Sequence, residues 1–531
     1  MKLKFLISAT LVILSTLAFG QNSFKYEVSL RPISIDGLEG LHSYAFAQHN
    51  NKWLIIGGRT DGMHARQPNS SFPTSSNNTN MYVVDVQAKK FWSTPLSSLP
   101  TGIKEQLQST NMNFYQDKDT LHIIGGYAYS AVANDHITFP NLTTIQVSSV
   151  IDAIINGNSI VPYFKQITDD VFAVTGGQMG KIHDKFYLVG GQRFDGRYNP
   201  MGHATYTQTY TDAIRNFTID NSSSQLSYAN YSEKTDAVHL HRRDFNLLPQ
   251  IFPDGTFGYT ISSGVFQTTA DLPFLYPVDI NENGYTPQTG FNQYLSNYHS
   301  AKASLYDSAS NEMHSLFFGG MSQYYYDGTT LIKDDLVPFV KTISLLTRGA
   351  DGILNEFQLD LEMPDLKGAG AEFIVNEDYA KSVKDIIDLN NSLDSFVIGH
   401  IYGGIHSPSL NPFSNNQSST TSANHVIYEV KLIKKQNISM AEIEGQNPYA
   451  LLLYPSPTIS SIRMQYTSAK NAIVDYFISN AAGQIVLSGN TISRSTSNEI
   501  QLNLDGLRPQ LYFVTLIIDG VYYLNDKFFK E

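Results

Sequence analysis

A pair of adjacent glycines recurs along this chain, each time at the end of a short apolar run. The runs read KWLIIGG, LHIIGG, FYLVGG, HSLFFGG and HIYGG. The glycines are Gly57, Gly58, Gly125, Gly126, Gly190, Gly191, Gly319, Gly320, Gly403 and Gly404, and Ser263-Gly264 forms a degenerate sixth copy. Self-similar units of this kind predict a repeat architecture, because each unit buries its apolar face against the next.

Each repeat has the pattern of four short strands. Before Gly57 the chain reads SYAFAQ, HNNK and WLII, which is two apolar runs around a polar turn. Such runs around turn residues are hairpin signals. After the pair, MYVVDVQAKKFWSTPL alternates Tyr82, Val84 and Val86 before a Lys-Lys turn. Four-stranded units repeated radially form a β-propeller, so the sequence predicts an all-β chain with six blades.

The glycine pair after the second strand, with an aromatic such as Trp92 in the fourth, resembles the kelch repeat. The resemblance covers about residues 24–435 and implies a six-bladed kelch-like β-propeller, which we assign to residues 21–436. The repeats here are longer than is usual for kelch units, and most lack a counterpart of Trp92. Enlarged loops are therefore expected.

The two ends of this region are expected to share one blade. The last repeat has one clear outer strand, HVIYEVKLIK at residues 425–434. The segment FKYEVSLRPI at residues 24–33 belongs to no repeat. We expect it to complete the sixth blade, which would leave no open edge in the ring.

The chain has no cysteine. This excludes disulfides, thiol nucleophiles, zinc–thiolate centres and iron–sulfur clusters. It also excludes the known chemistry of galactose oxidase, a kelch-type enzyme whose copper site needs a cysteine cross-linked to tyrosine. His42, His64, His299 and His406 lack the local spacing of metal ligands. No cofactor and no metal is expected.

Known catalytic and ion-binding motifs are missing or incomplete. DINENG at residues 279–284 begins like a calcium loop, but its twelfth position is Gly290 rather than Glu. Its Asn-Gly pair favours a hairpin turn. No Gly-x-Ser-x-Gly elbow is present, and no Walker lysine follows a glycine pair. The sequence therefore favours binding over catalysis.

Charge and the N-terminal segment bear on location. The 48 acidic and 36 basic residues give a net charge of −12, which disfavours nucleic acid as a partner. The start, MKLKFLISATLVILSTLAFG, has a basic region, an apolar core and small residues near Gly20. This pattern predicts a signal peptide at residues 1–20. No other stretch is long and apolar enough to cross a bilayer, so an exported protein without a transmembrane segment is expected.

The pattern changes after a polar linker at residues 437–446. Residues 447–531 read as about seven short strands, which predicts a small immunoglobulin-like β-sandwich. Tyr454-Pro455-Ser456-Pro457, Ala482-Gly483-Gln484, LNLDGLRPQLYFVTL and KFFK together resemble the C-terminal sorting domain of the type IX secretion system. Gln510 and Asn525-Asp526 depart from the usual pattern.

The resemblance implies that residues 447–531 engage the type IX machinery and are then removed. The mature protein would be secreted or attached to the outer-membrane surface. An adhesive immunoglobulin-like module is the alternative interpretation of this region.

Loops after the glycine pairs and loops before the first strands are expected to share one face of a propeller, around the mouth of its channel. Polar side chains from several blades would meet there, as in a binding site. The candidate ligand-binding residues are Arg59, Asp61, His64, Arg193, Asp195, Arg197, Arg243, Asp244, His299 and His406. The stretch with Arg193, Asp195 and Arg197 is expected to contact the ligand.

Three functions remain open. The first is a binding or scaffold module that recognises a glycan or a protein at the cell surface. The second, implied by the kelch resemblance, is a sugar-active enzyme of the mutarotase or sialic-acid-epimerase type, which would need arginines with a carboxylate or histidine inside the channel mouth. The third is a structural or adhesive role, which predicts a channel plugged by side chains.

Overall fold

The computed structural model describes residues 23–378, 381–383, 385–391, 393–435, 448–481 and 483–531. The predicted signal peptide, the predicted linker and Ala482 lie outside the described residues. The chain divides into two compact units, one ending at Lys434 and one beginning at Lys435. Both units are built of strands.

The described residues of the first unit form 33 strands. In chain order they are β1 (Tyr26–Ile33), β2 (Ala45–His49), β3 (Lys52–Ile56), β4 (Asn80–Asp85), β5 (Lys90–Pro95), β6 (Asn113–Asp117), β7 (Thr120–Ile124), β8 (Tyr127–Ser130), β9 (Asp135–Thr138), β10 (Asn141–Gln146), β11 (Phe164–Thr168), β12 (Gln178–Ile182), β13 (Lys185–Val189), β14 (Gln192–Gly196), β15 (Tyr206–Tyr210), β16 (Ala213–Asp220), β17 (Ser227–Thr235), β18 (Asn246–Ile251), β19 (Phe257–Ser262), β20 (Val278–Asn281), β21 (Gly284–Pro287), β22 (Ala301–Asp307), β23 (Glu312–Phe318), β24 (Tyr324–Asp327), β25 (Thr330–Lys333), β26 (Thr342–Arg348), β27 (Leu354–Glu362), β28 (Lys367–Val375), β29 (Lys381–Val383), β30 (Ile386–Asp388), β31 (Ser395–His406), β32 (Ser422–Ala423) and β33 (Ile427–Lys434).

Six main sheets account for most of these strands. Their strand orders are β2-β3-β4-β5 (sheet 1), β6-β7-β10-β11 (sheet 2), β12-β13-β16-β17 (sheet 3), β18-β19-β20-β21 (sheet 4), β22-β23-β26-β27 (sheet 5) and β28-β31-β33-β1 (sheet 6). Strands β29 and β30 extend sheet 5, and β8-β9, β14-β15 and β24-β25 are separate hairpins. Each glycine-pair repeat therefore forms one sheet of four main strands.

The N-terminal strand lies at the outer edge of sheet 6, as expected from the sequence. Strand β1 pairs antiparallel with β33 over its whole length, from Tyr26 opposite Lys434 to Ile33 opposite Ile427. The first and last strands of the unit are thus neighbours. This pairing covers the edge that β33 would otherwise expose.

The glycine pairs join each sheet to the next. Both glycines of each pair have positive φ, from 55° at Gly190 to 96° at Gly126. The N–H of the second glycine donates to a carbonyl just before, or at the start of, the next sheet's first strand, with N···O distances of 2.8–3.1 Å. The donor–acceptor pairs are Gly58–Ser109, Gly126–Val174, Gly191–Arg242, Gly264–Asn297, Gly320–Lys367 and Gly404–Leu41. The last bond returns to sheet 1, so the series is cyclic.

Glycine is required at these positions because the contact leaves no room. A Cβ on Gly190 would lie 2.6 Å from the carbonyl oxygen of Arg242, and one on Gly125 would lie 1.7 Å from that of Val174. The positive φ adds strain for any other residue. The repeated pair is therefore an inter-sheet connector.

A second cyclic series, here called the backbone ring, joins residues that lie just before, or within, the first strand of each sheet. Each N–H donates to the carbonyl of the corresponding residue in the preceding sheet, over 2.7–3.2 Å. The ring residues are Ser43, Asn111, Gly176, Asp244, His299 and Gly370. The bond from Ser43 to Gly370 returns to sheet 1, so this series is cyclic as well.

The apolar core lies between neighbouring sheets. One cluster joins Leu54 of sheet 1 to Leu121 and Ile145 of sheet 2. Another contains Tyr26 and Val430 of sheet 6 together with side chains of sheet 5. Burial between sheets explains why each repeat needs its neighbours for stability.

Among the described residues of the first unit, two α-helices, α1 (Thr101–Leu107) and α2 (Val147–Ile155), interrupt the strands. Neither helix is expected from the sequence pattern. In α2, Val147, Val150, Ile151 and Ile154 are buried. This spacing marks one helix face, and that face packs into the core between sheets 1 and 2. This helical spacing of the buried residues differs from the alternation of the strands on either side. The spacing is the signal that could have identified the helix from the sequence.

Glu356 in β27 gives a testable pH dependence. Its carboxylate accepts the backbone N–H groups of Tyr294 at 2.7 Å and Leu295 at 3.1 Å. Burial raises the pKa of Glu356 to about 8 from 4.5, and the two donors offset only part of that shift. Because the folded-state pKa exceeds the unfolded one, the contribution to stability is complete below pH 4.5 and is lost as the pH rises through 8.

We expect Glu356→Gln to be more stable than the unsubstituted protein above pH 8, by about 1–3 kcal/mol, with the difference shrinking toward acidic pH. Calorimetric unfolding of both proteins across this range measures the difference. A difference that stays constant with pH would contradict the assignment.

In the part of the second unit that the structure describes there are seven strands, in line with the about seven expected from the sequence. They are β34 (Leu451–Tyr454), β35 (Ser461–Thr467), β36 (Ile473–Asn480), β37 (Ile485–Ile492), β38 (Ser497–Asn503), β39 (Gln510–Ile518) and β40 (Tyr522–Lys530). They form two sheets, β34-β35-β38 and β37-β36-β39-β40. Met464 and Leu502 of the first sheet share one core with Val474, Val514 and Phe528 of the second.

Candidate functional site

A cavity of about 670 Å³, here called the upper cavity, lies on the glycine-pair side of the backbone ring. Its size falls in the range of small-molecule sites. Segments from all six sheets contribute to its wall. The aromatic residues that line it are Phe72, Tyr127, Phe194, Tyr198, Tyr206, Tyr210, Phe266, Tyr298 and Phe413.

Arg243 and Asp244 form the charged part of the wall. The Arg243 Nη1 donates to the Asp244 carboxylate, and its Nε donates to the Tyr210 hydroxyl at 3.0 Å. The guanidinium carbon lies 5.0 Å from the ring centroid of Phe266. Burial lowers the pKa of Arg243, but Asp244 and nearby tyrosines outweigh burial and raise it above its ordinary value. Arg243 is therefore a permanent cation beside aromatic faces.

His241 stands next to this pair. Its ring stacks on Tyr210 with centroids 3.8 Å apart, and its Nδ1 lies 2.6 Å from the Asp212 carboxylate. Both His241 and Tyr210 line the cavity. A carboxylate at Nδ1 fixes the orientation of an imidazole and leaves the other ring nitrogen as its free polar atom.

Arg59, Asp61 and His42 form a packed group on the sheet 1 side. Arg59 donates to both carboxylate oxygens of Asp61, at 2.9 and 2.6 Å, and to Asn77. His42 Nε2 lies 3.7 Å from Asp61. Burial raises the pKa of Asp61, but His42 and Arg59 outweigh it and lower the pKa to about 2. Because its guanidinium donors are engaged in these bonds, Arg59 stabilises the wall of the cavity.

His64 fills an aromatic part of the wall. Its ring stacks on Phe72 at 5.1 Å and meets the edges of Tyr198 and Phe413 at 5.0 and 5.3 Å. Burial lowers the pKa of His64 to about 4. The side chain is therefore neutral at pH 7 and contributes apolar surface.

The other predicted site residues do not line the upper cavity. Arg193 is about half-exposed and pairs with Asp195 at 2.7 Å and Asp170 at 3.4 Å. Arg197 donates its Nε to the Ser71 carbonyl at 2.8 Å. His406 ends β31, opposite Ser422. The charged residues of the stretch after Gly191 are thus engaged in surface ion pairs and a backbone bond, whereas Phe194 and Tyr198 of the same stretch line the cavity.

The cavity brings together only part of the predicted set. Arg59, His64, Arg243, Asp244 and His299 line it, and Asp61 stands behind Arg59. His299 belongs to the backbone ring, so it reaches both sides of the ring.

Sequence reasoning missed the tyrosines of β15 and the adjacent His241. Tyr206, Gln208 and Tyr210 all line the cavity, which follows from the side-chain period of two along a strand. The alternation YTQTY was the available signal. It was missed because the hairpin β14-β15 stands apart from the four main strands of its repeat.

Among the described residues, no group of three or more histidine and acidic side chains is arranged to hold a metal ion. The DINENG stretch forms the turn between β20 and β21, as predicted, with Asn281 opposite Gly284. Asp279 within it pairs with Arg348 at 2.6 Å. In the same described part of the chain, no helix has the length and apolar character needed to span a bilayer.

Comparison with known proteins identifies the C-terminal region. Residues 452–529 match the family described as secretion system C-terminal sorting domain. No curated protein matches the chain. Among solved structures, one titled "Structure of YjhT" is 12% identical, covering 75% of this chain and all of that one with a TM-score of 0.42. Residues 452–529 therefore form a secretion sorting domain, and the chain is a secreted or cell-surface protein.

Proposed function

We propose that the protein is an exported six-bladed β-propeller of the kelch type that binds a glycan in its upper cavity. In this account a type IX sorting domain at residues 447–531, an immunoglobulin-like β-sandwich, directs export through the type IX machinery and is then removed. The signal peptide at residues 1–20 directs the first step of this export. The mature protein is released or held at the outer-membrane surface.

Two cyclic hydrogen-bond series support the propeller. The glycine-pair bonds and the backbone ring each run once through six four-stranded sheets and return to sheet 1. Pairing of β1 with β33 supports closure through a strand from the N-terminus. Radial repetition of this kind leaves only protected edges.

The observation that carries the glycan assignment is the setting of Arg243. The Arg243–Asp244 pair offers donors and acceptors next to the aromatic rings of Tyr210 and Phe266. A sugar ring has apolar C–H faces and a rim of hydroxyls, so it needs both kinds of surface. Few polar groups among many aromatic ones are typical of small-molecule cavities. A protein partner would instead need a broad exposed surface.

The cavity also argues against a purely structural role. That alternative predicts a channel plugged by side chains, whereas cavities of about 670 and 580 Å³ lie on the two sides of the backbone ring.

We expect the double substitution Arg243→Gln/Asp244→Asn to weaken glycan binding roughly tenfold or more, because both polar anchors at the aromatic wall are lost. Removing both charges together avoids leaving one buried and unpaired. A glycan array followed by calorimetric titration of the best ligand measures the change.

The matched control is Arg193→Ala, which removes a surface arginine that does not line the upper cavity. It is expected to bind as the unsubstituted protein does. Equal losses in both variants, or unchanged affinity in the double variant, would contradict the assignment to the upper cavity.

A sugar-active enzyme of the mutarotase or sialic-acid-epimerase type is the second candidate. The observation that favours it is His241, which lines the cavity while Asp212 holds its Nδ1. A histidine oriented in this way can act as a general base. Incubation of bound sugars with the protein, followed by NMR, separates the candidates, since a binding module leaves the sugar unchanged.

A further inference from the structure

A second cavity, of about 580 Å³ and here called the lower cavity, lies on the other side of the backbone ring. Residues of the ring, such as Ser43, Asn111 and His299, line both cavities. Most of the remaining lower wall comes from the first strands of the sheets, and Tyr259 of β19 adds to it. Phe46, Phe114, Tyr259 and Phe373 give it aromatic surface.

Charged groups stand at the ring end of this cavity. Glu372 of β28 lies with Oε1 3.0 Å from His299 Nε2 and Oε2 3.8 Å from Lys302 Nζ. Only 7% of the Glu372 side chain and 15% of the Lys302 side chain are exposed. Burial raises the pKa of Glu372, but Lys302 and His299 outweigh it and lower the pKa. The carboxylate is therefore charged at neutral pH.

The ammonium of Lys302 is poorly satisfied. Its single ion pair within the described residues is the one with Glu372, and 3.8 Å is beyond hydrogen-bond distance. An ammonium has three donors, and buried donors without acceptors are costly. Ser304, two residues along β22, has a buried hydroxyl without a hydrogen-bond partner in the described chain. Since alternate residues of a strand face the same side, both groups point to the same cavity.

We propose that the lower cavity is a second binding site, for a neutral hydroxyl-rich molecule of the sugar or polyol class. A hydroxyl donates and accepts at once, so it fits between Lys302 and Glu372 and satisfies both. An anion would be repelled by Glu372, and a cation by Lys302. The aromatic walls face the C–H groups of such a molecule. The proposal does not depend on the function of the upper cavity.

Saturation-transfer NMR tests this site with glucose, galactose, mannose, N-acetylglucosamine, glycerol and myo-inositol at about 10 mM, a level suited to weak ligands. The host protein is the full chain carrying Tyr210→Ala/Phe266→Ala, two residues that line the upper cavity and not the lower one, so that only the upper cavity is disabled. We expect at least one compound to bind, and we expect Lys302→Met/Glu372→Gln to weaken it roughly tenfold or more. The control is Lys333→Gln/Asp335→Asn, which removes an exposed ion pair and should change nothing.

A second variant, Ser304→Leu, guards against misfolding of the charge variant. It adds apolar volume inside the cavity, leaves Lys302 and Glu372 in place and is also expected to abolish binding. Absence of binding by every compound, or binding unchanged in both variants, overturns the proposal. Binding of acetate or methylammonium that depends on Lys302 and Glu372 overturns the neutral ligand class. If binding fails only in the upper cavity, the proposed function falls and this site stands.

Discussion

Deleting residues 23–33 is expected to prevent folding of the first unit. The deletion removes β1 and the residues just before it. Phe24, before β1, and Tyr26, in β1, are buried in the core shared by sheets 5 and 6, with 1% and 5% of their surface exposed. Truncating one such aromatic costs about 3–5 kcal/mol, while a whole domain has about 5–15 kcal/mol of stability. Losing two of them and a full strand pairing exceeds what the unit can absorb.

Circular dichroism and thermal unfolding of the full chain, with and without the segment, measure this effect. The deleted form should lack the main cooperative transition and aggregate through the exposed edge of β33. Arg31→Ala is the control, because Arg31 pairs with Glu429 at the exposed edge and contributes at most about 1 kcal/mol. A deleted protein that unfolds like the intact one would show that β1 is dispensable.

Arg242→Ala is expected to destabilise the first unit by about 3–5 kcal/mol, the range for breaking a buried polar network. Arg242 is fully buried, and its guanidinium donates to the carbonyls of His239, Ser263 and Tyr276 at 2.6–2.8 Å. It also lies 4.2 Å from the ring centroid of Phe274. Burial lowers the pKa of Arg242 to about 10, so it remains a cation at neutral pH.

The substitution leaves several carbonyls without donors and opens a void among aromatic rings, and both effects act in the same direction. Urea unfolding of the full chain measures the loss, with Arg193→Ala as the exposed control expected to change stability by less than about 0.5 kcal/mol. A loss below about 1 kcal/mol for Arg242→Ala would mean that water or relaxed neighbours replace the guanidinium.

Sequence reasoning reached the strand content because the glycine pairs mark a fixed place in each repeat. Even the degenerate copy at Ser263-Gly264 was placed correctly, since the N–H of Gly264 makes the same inter-sheet bond as the intact copies. The pairing of residues 24–33 with the last strand followed from counting strands. Helix α2 was missed because a short amphipathic helix between outer strands resembles another apolar run.

The candidate site was harder to predict for a geometric reason. A loop's place in the sequence shows the face on which it emerges, but not whether its side chains turn toward the channel. Arg193 has Asp195 and Asp170 as partners at the surface, whereas Arg243 has Asp244 and Tyr210 inside. Asp170 and Tyr210 are distant in sequence from the arginines that they hold. Only the folded chain distinguishes the two cases.

A crystal structure of the protein with its best-binding glycan is the most direct test of the proposed function. We expect the sugar in the upper cavity, with its hydroxyls on Arg243 and Asp244 and a ring face against Tyr210 or Phe266. A sugar bound instead at the outer surface near Arg193, with the upper cavity empty, would contradict it.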